Sequence, residues 1–258
     1  MKRTERIGSR WAKIKANRFR YAIILPGALF FLIYRYIPMG GLVMAFQKYN
    51  PIKGISGSDW VGLDNFRMMF EYGDFSRAIV NTIIISFSKI AASYFCTVSF
   101  ALLLNEIQAT WFKKTVQTIS YAPNFLSWVT VYGIASILFS PQNGLITNLT
   151  TSLGLPMIDL FTDPSTFRFT LVLTALWKGI GWGTIIYMAG LAGVDPTLYE
   201  AAIVDGAGRF KRMIHISLPA LMPLLVIQMI LSNGNIMNEN LDQLLMFQNP
   251  MVYEVSDV

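Results

Sequence analysis

Side chains able to do chemistry are few in this chain, and their placement excludes most reactions. His215 is the only histidine and Cys96 the only cysteine. Cys96 lies within an apolar run and His215 at the edge of another, across the bilayer from it, so N and S ligands cannot be gathered around a metal. A lone Cys within such a run also leaves no intramolecular disulfide to form. Ser217 is close to His215 only as a neighbour on one helix, without the geometry of a nucleophilic triad. No Gly-x4-Gly-Lys-Ser/Thr loop occurs, so ATP is not expected to bind in the P-loop manner. The sequence therefore predicts a protein that is no enzyme, with neither cofactor nor metal.

Two polar constellations stand out instead. One is the stretch from Asp195 to Pro219, set between long apolar runs. Asp195 can cap a helix, and Pro196 suits a first turn, where its missing N–H is no loss. Leu198 to Val204 then reads as a short helix. Gly206 can take the left-handed conformation that stops it, and Phe210, Met213 and Ile214 restart an apolar helical face. The result is a compact knob. The other constellation is Trp177-Lys178-Gly179-Ile-Gly181-Trp182-Gly183. Its glycines permit close helix approach. An aromatic ring beside a cation could contact a polar solute, since sugar faces stack on such rings. Equally, Lys178 could be structural, bonded to neighbouring carbonyls. Trp128 can be an interface anchor or a ring lining a path.

The elements that must position these groups are membrane spans. The 258 residues are 53% hydrophobic and only 14% charged, whereas soluble domains carry nearer a quarter charged. Crossing a hydrocarbon core of ~30 Å takes roughly 20 apolar residues. Five runs qualify: Tyr21–Phe46, Ala78–Leu104, Val116–Phe139, Phe169–Leu191 and Ile216–Leu231. The fold class expected is an all-α polytopic membrane protein. Lys178 lies nine residues after Phe169, roughly 14 Å deep by helical rise. A charge at such depth is costly and should face protein or a watery path. Among the other basic residues in the runs, Lys89 has Ser86, Ser88 and Ser93 nearby for inter-helix hydrogen bonds, and Arg35 is placed to snorkel. Pro123 removes a helical hydrogen bond in Tyr121-Ala-Pro-Asn-Phe-Leu-Ser-Trp128, and Asn124 or Ser127 could satisfy the freed carbonyl.

Orientation follows from charge. Residues 1–20 carry eight basic residues, and the connections at 105–115 and 192–212 add Lys113, Lys114, Arg209, Lys211 and Arg212. Residues 232–258 have acidic residues and no basic one. The positive-inside rule puts the basic N-terminus and the 192–212 connection in the cytoplasm. The pI near 9.4 then speaks for anionic lipid headgroups rather than nucleic acid, because the charge flanks spans. In the outer connection at 47–77, Leu63, Phe66, Met69 and Phe70 share one helical face that can lie at the outer leaflet, as an anchor or as part of a docking surface.

Glu200-Ala201-Ala202, three residues, Gly206, nine residues, then Ile216-Ser217-Leu218-Pro219 resembles the coupling loop of membrane subunits of binding-protein-dependent ABC importers. Further segments are similar to the sugar and polysaccharide branch with maltose-type permeases. They are Val61-Gly-Leu-Asp-Asn-Phe66, Ala122-Pro-Asn-Phe-Leu-Ser-Trp128, Leu176-Trp-Lys-Gly-Ile-Gly-Trp182 and Asn249-Pro-Met-Val-Tyr-Glu254. The resemblance implies an importer permease for complex oligosaccharides, including uronate- or rhamnose-containing fragments, in the bacterial cell membrane. It implies residues 1–20 as a basic cytoplasmic N-terminus and 21–258 as the transmembrane domain, with its coupling loop at about 192–214.

The same resemblance implies partners: a second permease subunit, two ATP-binding subunits and an extracytoplasmic solute-binding protein. Glu200, Ala201, Ala202, Asp205 and Gly206 would seat in the ATPase, while Trp177, Lys178 and Trp128 are candidates for the solute path. Five spans are expected in the chain, with a sixth implied by the resemblance and absent from the 258 residues. The rival readings are a secondary transporter or channel working without an ATPase, and an ABC permease for a non-sugar solute. Secondary transporters usually show carboxylates at depth or inverted repeats, whereas every Asp and Glu here lies outside the apolar runs.

Overall fold

The computed structural model describes residues 13, 15–155, 159–234 and 241–257. Lys2, Arg3, Arg6 and Arg10 of the basic N-terminus lie outside them, as does Glu239. Four helical stretches among the described residues are long and apolar enough to cross a membrane: Arg18–Phe46, Asp74–Glu106, Pro164–Ala192 and Arg209–Ser232. Thr110–Phe125 and Trp128–Phe139 make a fifth if counted as one span. The chain is an all-α polytopic membrane protein. Its contacts divide it into two units, residues 1–75 and 76–258.

In the first unit, α1 (Arg18–Phe31) runs into a π turn at Leu32–Tyr36 that contains Arg35. The Ile37 N–H there reaches back five residues to the Leu32 carbonyl. Pro38 explains the widening, because it has no N–H and its ring crowds the carbonyl four residues earlier. After a 3-10 stretch at Gly40–Phe46, a two-residue strand β1 (Gln47–Lys48) pairs antiparallel with β2 (Asp59–Trp60). This ribbon is too short to leave a period in the sequence. The Phe46 ring stacks on Trp60 at 5.7 Å and meets Phe66 at 5.4 Å. Asn65 fastens α2 (Asp64–Glu71) by donating to the carbonyls of Ala45 and Gln47. Of the expected face, Phe66 is thus turned inward, while Leu63, Met69 and Phe70 are exposed.

The second unit takes in nearly all of α3 (Asp74–Glu106), then α4 (Thr110–Tyr121), α5 (Trp128–Phe139), α6 (Leu145–Ser152) and α7 (Pro164–Ala192). The short α8 (Pro196–Val204) and α9 (Arg209–Arg212) precede α10 (Leu218–Asn233), and α11 (Leu241–Phe247) and α12 (Tyr253–Ser256) close it. Two apolar cores hold it together. One gathers Ile85, Val131, Phe167, Leu171, Leu244 and Phe247; the other gathers Val98, Ala101, Leu102, Tyr187, Leu191 and Leu221. Lipid tails are as apolar as these side chains, so within the membrane it is close van der Waals packing that holds the helices together. Ile85 and Val98 lie on α3, and Leu171 and Tyr187 lie on α7, so both cores share the same two long helices.

The run Val116–Phe139 is not one straight helix. Its two halves are bent by 109°. Beyond α4 the chain tightens to a 3-10 turn at Ala122–Phe125, then extends through Leu126 and Ser127. Pro123 stops the first half, as its missing N–H predicts. Ser127 starts the second, its hydroxyl accepting the Thr130 N–H at 3.2 Å. Ser127 therefore acts as a cap for the next helix.

Candidate functional site: knob and cavity

The knob forms as its residue types dictate. The Asp195 carboxylate accepts the Thr197 N–H at 3.0 Å and caps α8, with Pro196 in the first turn. Hydrogen bonds from the Thr197 backbone and side chain hold the Asp195 carboxyl below the usual carboxylate range. At the far end Gly206 has φ +75°, the left-handed region. Its N–H reaches the Ile203 carbonyl at 3.0 Å, and the Ala207 N–H reaches Ala202 at 2.8 Å. That pair of bonds is a Schellman motif with glycine at its left-handed position.

Glu200, Ala201, Asp205 and Gly206 are exposed on this knob, and Ala202 is half-buried. Beside them Val204 is 86%, Phe210 69% and Ile203 56% exposed. Bare apolar side chains of this kind are ones that a partner protein or a membrane surface covers. Two further features were not legible in the spacing. Met213–Ser217 is a second π turn, with the Leu218 N–H reaching back to the Met213 carbonyl. Pro219 stands two residues past it, as Pro38 does past the first. The phenol of Tyr199 also meets the Ser217 hydroxyl at 2.9 Å.

Along α3 and α7, between the two cores, lies a cavity of about 400 Å³. Lys89, Tyr94, Trp128, Lys178, Tyr187 and Gln243 are on its wall. Lys178 donates to the Asn124 carbonyl at 2.7 Å, and its ammonium stands 5.6 Å from the centre of the Trp128 ring. A cation over an indole face at that range is attracted by the ring quadrupole. The carbonyl is available because the helix break leaves it without a helical partner, and the break is held near α7 by Gly181. A Cβ on Gly181 would fall 2.1 Å from the Ser120 carbonyl oxygen, and one on Gly183 would fall 3.1 Å from Thr97. Asn124 thus serves Lys178 through its backbone carbonyl, the kind of partner the structural reading of this lysine called for.

Trp177 does not share this wall. It faces an apolar pocket with Val131, Leu138, Phe139 and Leu173. Consecutive helix positions differ by about 100°, and here that turn carries the Trp177 ring to the apolar pocket while Lys178 stays on the cavity wall. Lys89 reaches out of α3 and donates to the side-chain oxygen of Gln243. Gln243 is fully buried and donates to Thr174 and to the Leu171 carbonyl, both at 2.8 Å. Nothing marked it in the sequence, where it is one of several Asn and Gln residues in the acidic outer stretch.

Residues 90–256 match the family described as "binding-protein-dependent transport system inner membrane component". The chain is 38% identical over 252 residues to Protein LplB of Bacillus subtilis strain 168, covering 97% of this chain and 79% of that relative. It is 39% identical over 246 residues to the polygalacturonan/rhamnogalacturonan transport system permease protein YteP of the same strain, covering 95% and 77%. Among solved structures it is similar to a bacterial ABC transporter involved in the import of the acidic polysaccharide alginate. There the TM-score is 0.87 at 34% identity, over 97% of this chain and 84% of that one. With more than half of its length inside the family match and relatives above 30% identity along nearly all of it, this chain belongs to the binding-protein-dependent transport system inner membrane components.

Proposed function

We propose that this chain forms half of the path by which an acidic oligosaccharide crosses the inner membrane, with ATP hydrolysed on a separate subunit that grips the α8 knob. The observation that carries the reading is the placement of Lys178 over Trp128 in the cavity between the two cores. An indole face can stack on a pyranose ring while the neighbouring ammonium pairs with a carboxylate. Among the described residues Lys178 has a carbonyl and a ring for partners and no carboxylate. The saccharide class is supported by YteP and by the alginate transporter.

The importer also takes a second permease, two ATP-binding subunits and an extracytoplasmic binding protein. A relative's structure was solved with its pentasaccharide-bound periplasmic protein. Glu200, Ala201, Ala202, Asp205 and Gly206 form the seat for the ATPase. Alanines there allow close approach, and Glu200 can pair with a basic group. Residues 1–20 and 192–212 face the cytoplasm, a placement supported by their Lys and Arg content. ATP-driven closure then rocks the helices between inward- and outward-open states.

The test is to co-purify the complex and screen oligosaccharides with the binding protein for stimulated ATP hydrolysis. Uronate-containing fragments should stimulate it. A complex stimulated only by non-saccharide solutes would sink the reading. Orientation is checked separately with Arg209→Cys and an impermeant thiol reagent, which should fail to label intact cells.

A further inference from the structure

Several hydroxyls in the described helices bond backward along their own helix. Thr82, Ser120, Thr174 and Thr184 each donate to the carbonyl four residues earlier. That is the default for Ser and Thr in a helix. Ser217 departs from it. It is 1% exposed, ends the π turn at Met213–Ser217, and meets the Tyr199 phenol at 2.9 Å across 18 residues. Tyr199 is half-buried while its neighbours Leu198 and Glu200 are exposed, so α8 turns this one ring toward the span.

The rest of the connection between α8 and α10 contains two glycines. Gly206, at φ +75°, and Gly208 lie between α8 and α9. A π turn has one residue more than an α turn and often marks a place where a helix can shift. With Gly206 and Gly208 between α8 and α9, the knob could pivot without turning α10. A hydroxyl pair at the buried Ser217 resists the pivot, because parting the two groups would leave a buried polar atom unsatisfied.

We infer that Tyr199 is a positioning residue for energy coupling. Its hydrogen bond to Ser217 ties α8 to the π turn, so that displacement of the knob turns α10 and thereby the wall of the cavity to which Gln228 and Ser232 belong. The inference rests on the reading of α8 as the surface the ATPase grips, and adds the route by which the grip reaches the path.

The experiment uses the full complex with its second permease, ATPases and binding protein in proteoliposomes. ATP hydrolysed and saccharide imported are measured in the same vesicles, with an oligogalacturonide as probe. Tyr199→Phe and Ser217→Ala each remove one hydroxyl. Each should leave ATPase association intact and lower the saccharide moved per ATP about fivefold, the factor that a hydrogen bond of ordinary net strength represents. The double variant should be no worse than either single one, and Ser217→Thr, which keeps the hydroxyl, should retain the normal ratio. Unchanged ratios in both single variants, or losses that multiply in the double variant, would overturn the inference. So would loss of ATPase association in Tyr199→Phe, because the ring would then be a docking residue. Failure of the underlying reading looks different: Gly206→Val would also bind the ATPase and transport normally.

Discussion

The side-chain oxygen of Asn81 accepts from Arg168 Nη2 at 2.7 Å, while the amide of Asn81 donates to the carbonyls of Glu254 and Asp257, both at 3.0 Å. One side chain, 2% exposed, therefore joins α3, α7 and the end of the chain's last described segment. Arg77 reinforces it with an ion pair to Asp257 at 3.3 Å and a position 5.6 Å over the Tyr253 ring. Asn81→Ala removes three bonds and strands buried polar groups, at a cost of about 1–3 kcal/mol. Residues 241–257 should loosen first. Thermal unfolding of the purified complex should shift downward, and limited proteolysis should cut within that segment sooner. An unaltered cleavage rate would show that α11 and α12 are held by Leu244, Phe247 and Val252 alone.

Gly181 is held to glycine by a neighbour rather than by its own backbone. The Ser120 carbonyl oxygen lies 2.1 Å from where a Cβ would be, whereas nothing lies within 4 Å of the corresponding point at Gly179. Gly181→Ala must push α4 away from α7, at about 1–3 kcal/mol for overpacking. That shift draws the Asn124 carbonyl off Lys178. Gly179→Ala on the same helix should be close to neutral. The paired measurement is the melting temperature of each variant, and equal values would refute the close crossing.

Much of this was readable in the sequence because the responsible physics is local. Asp195 and Gly206 set the ends of α8 through their own side chain and backbone, and both act as their types require. Apolar length announces spans for the same reason, since each residue adds a fixed rise. Pro123 announced a lost helical hydrogen bond, but neither the break nor its angle of 109°, which depend on what packs against each half. The cavity wall was harder. Lys178 and Trp128 meet across 50 residues, and Gln243 reaches Lys89 across 154. No window of sequence contains such a pair. Trp177 shows the converse limit: adjacency along a helix placed it beside Lys178 in sequence and on a different wall in space.

Lys178 can be tested for a substrate role apart from its structural one. Lys178→Met keeps most of the length and removes the charge, while Lys178→Arg keeps the charge and can still reach a carbonyl. Losing a hydrogen bond to a charged group is worth about 1.5–3 kcal/mol, or roughly 10–100-fold. Uptake of an oligogalacturonide should fall in that range for Lys178→Met and recover largely in Lys178→Arg. Uptake of a neutral galactose oligosaccharide, if the complex accepts one, should change little. Equal losses on both substrates, or failure of the complex to assemble, would make the residue a brace for the Asn124 carbonyl.

The knob carries the central assignment, and its geometry says where to strike it. Gly206 sits at φ +75° with no atom within 4 Å of a Cβ position, so a substitution there acts through backbone strain alone and not through a clash. A β-branched residue resists that conformation most, and Gly206→Val should cost about 1–3 kcal/mol locally. The Schellman bonds from Gly206 and Ala207 would loosen, and with them the angle at which α8 presents Ala201, Ala202 and Asp205. Glu200→Ala is the complementary change, removing an exposed charge without touching the backbone. Neither residue lines the cavity. Saccharide binding by the external receptor should therefore be normal in both variants, while ATPase association, saccharide-stimulated hydrolysis and uptake fall together. Gly206→Ala, with less crowding, should fall between Val and the unaltered protein. A double Gly206→Val, Glu200→Ala complex that imported saccharide at the unaltered rate would show that the ATPase holds this chain somewhere other than α8.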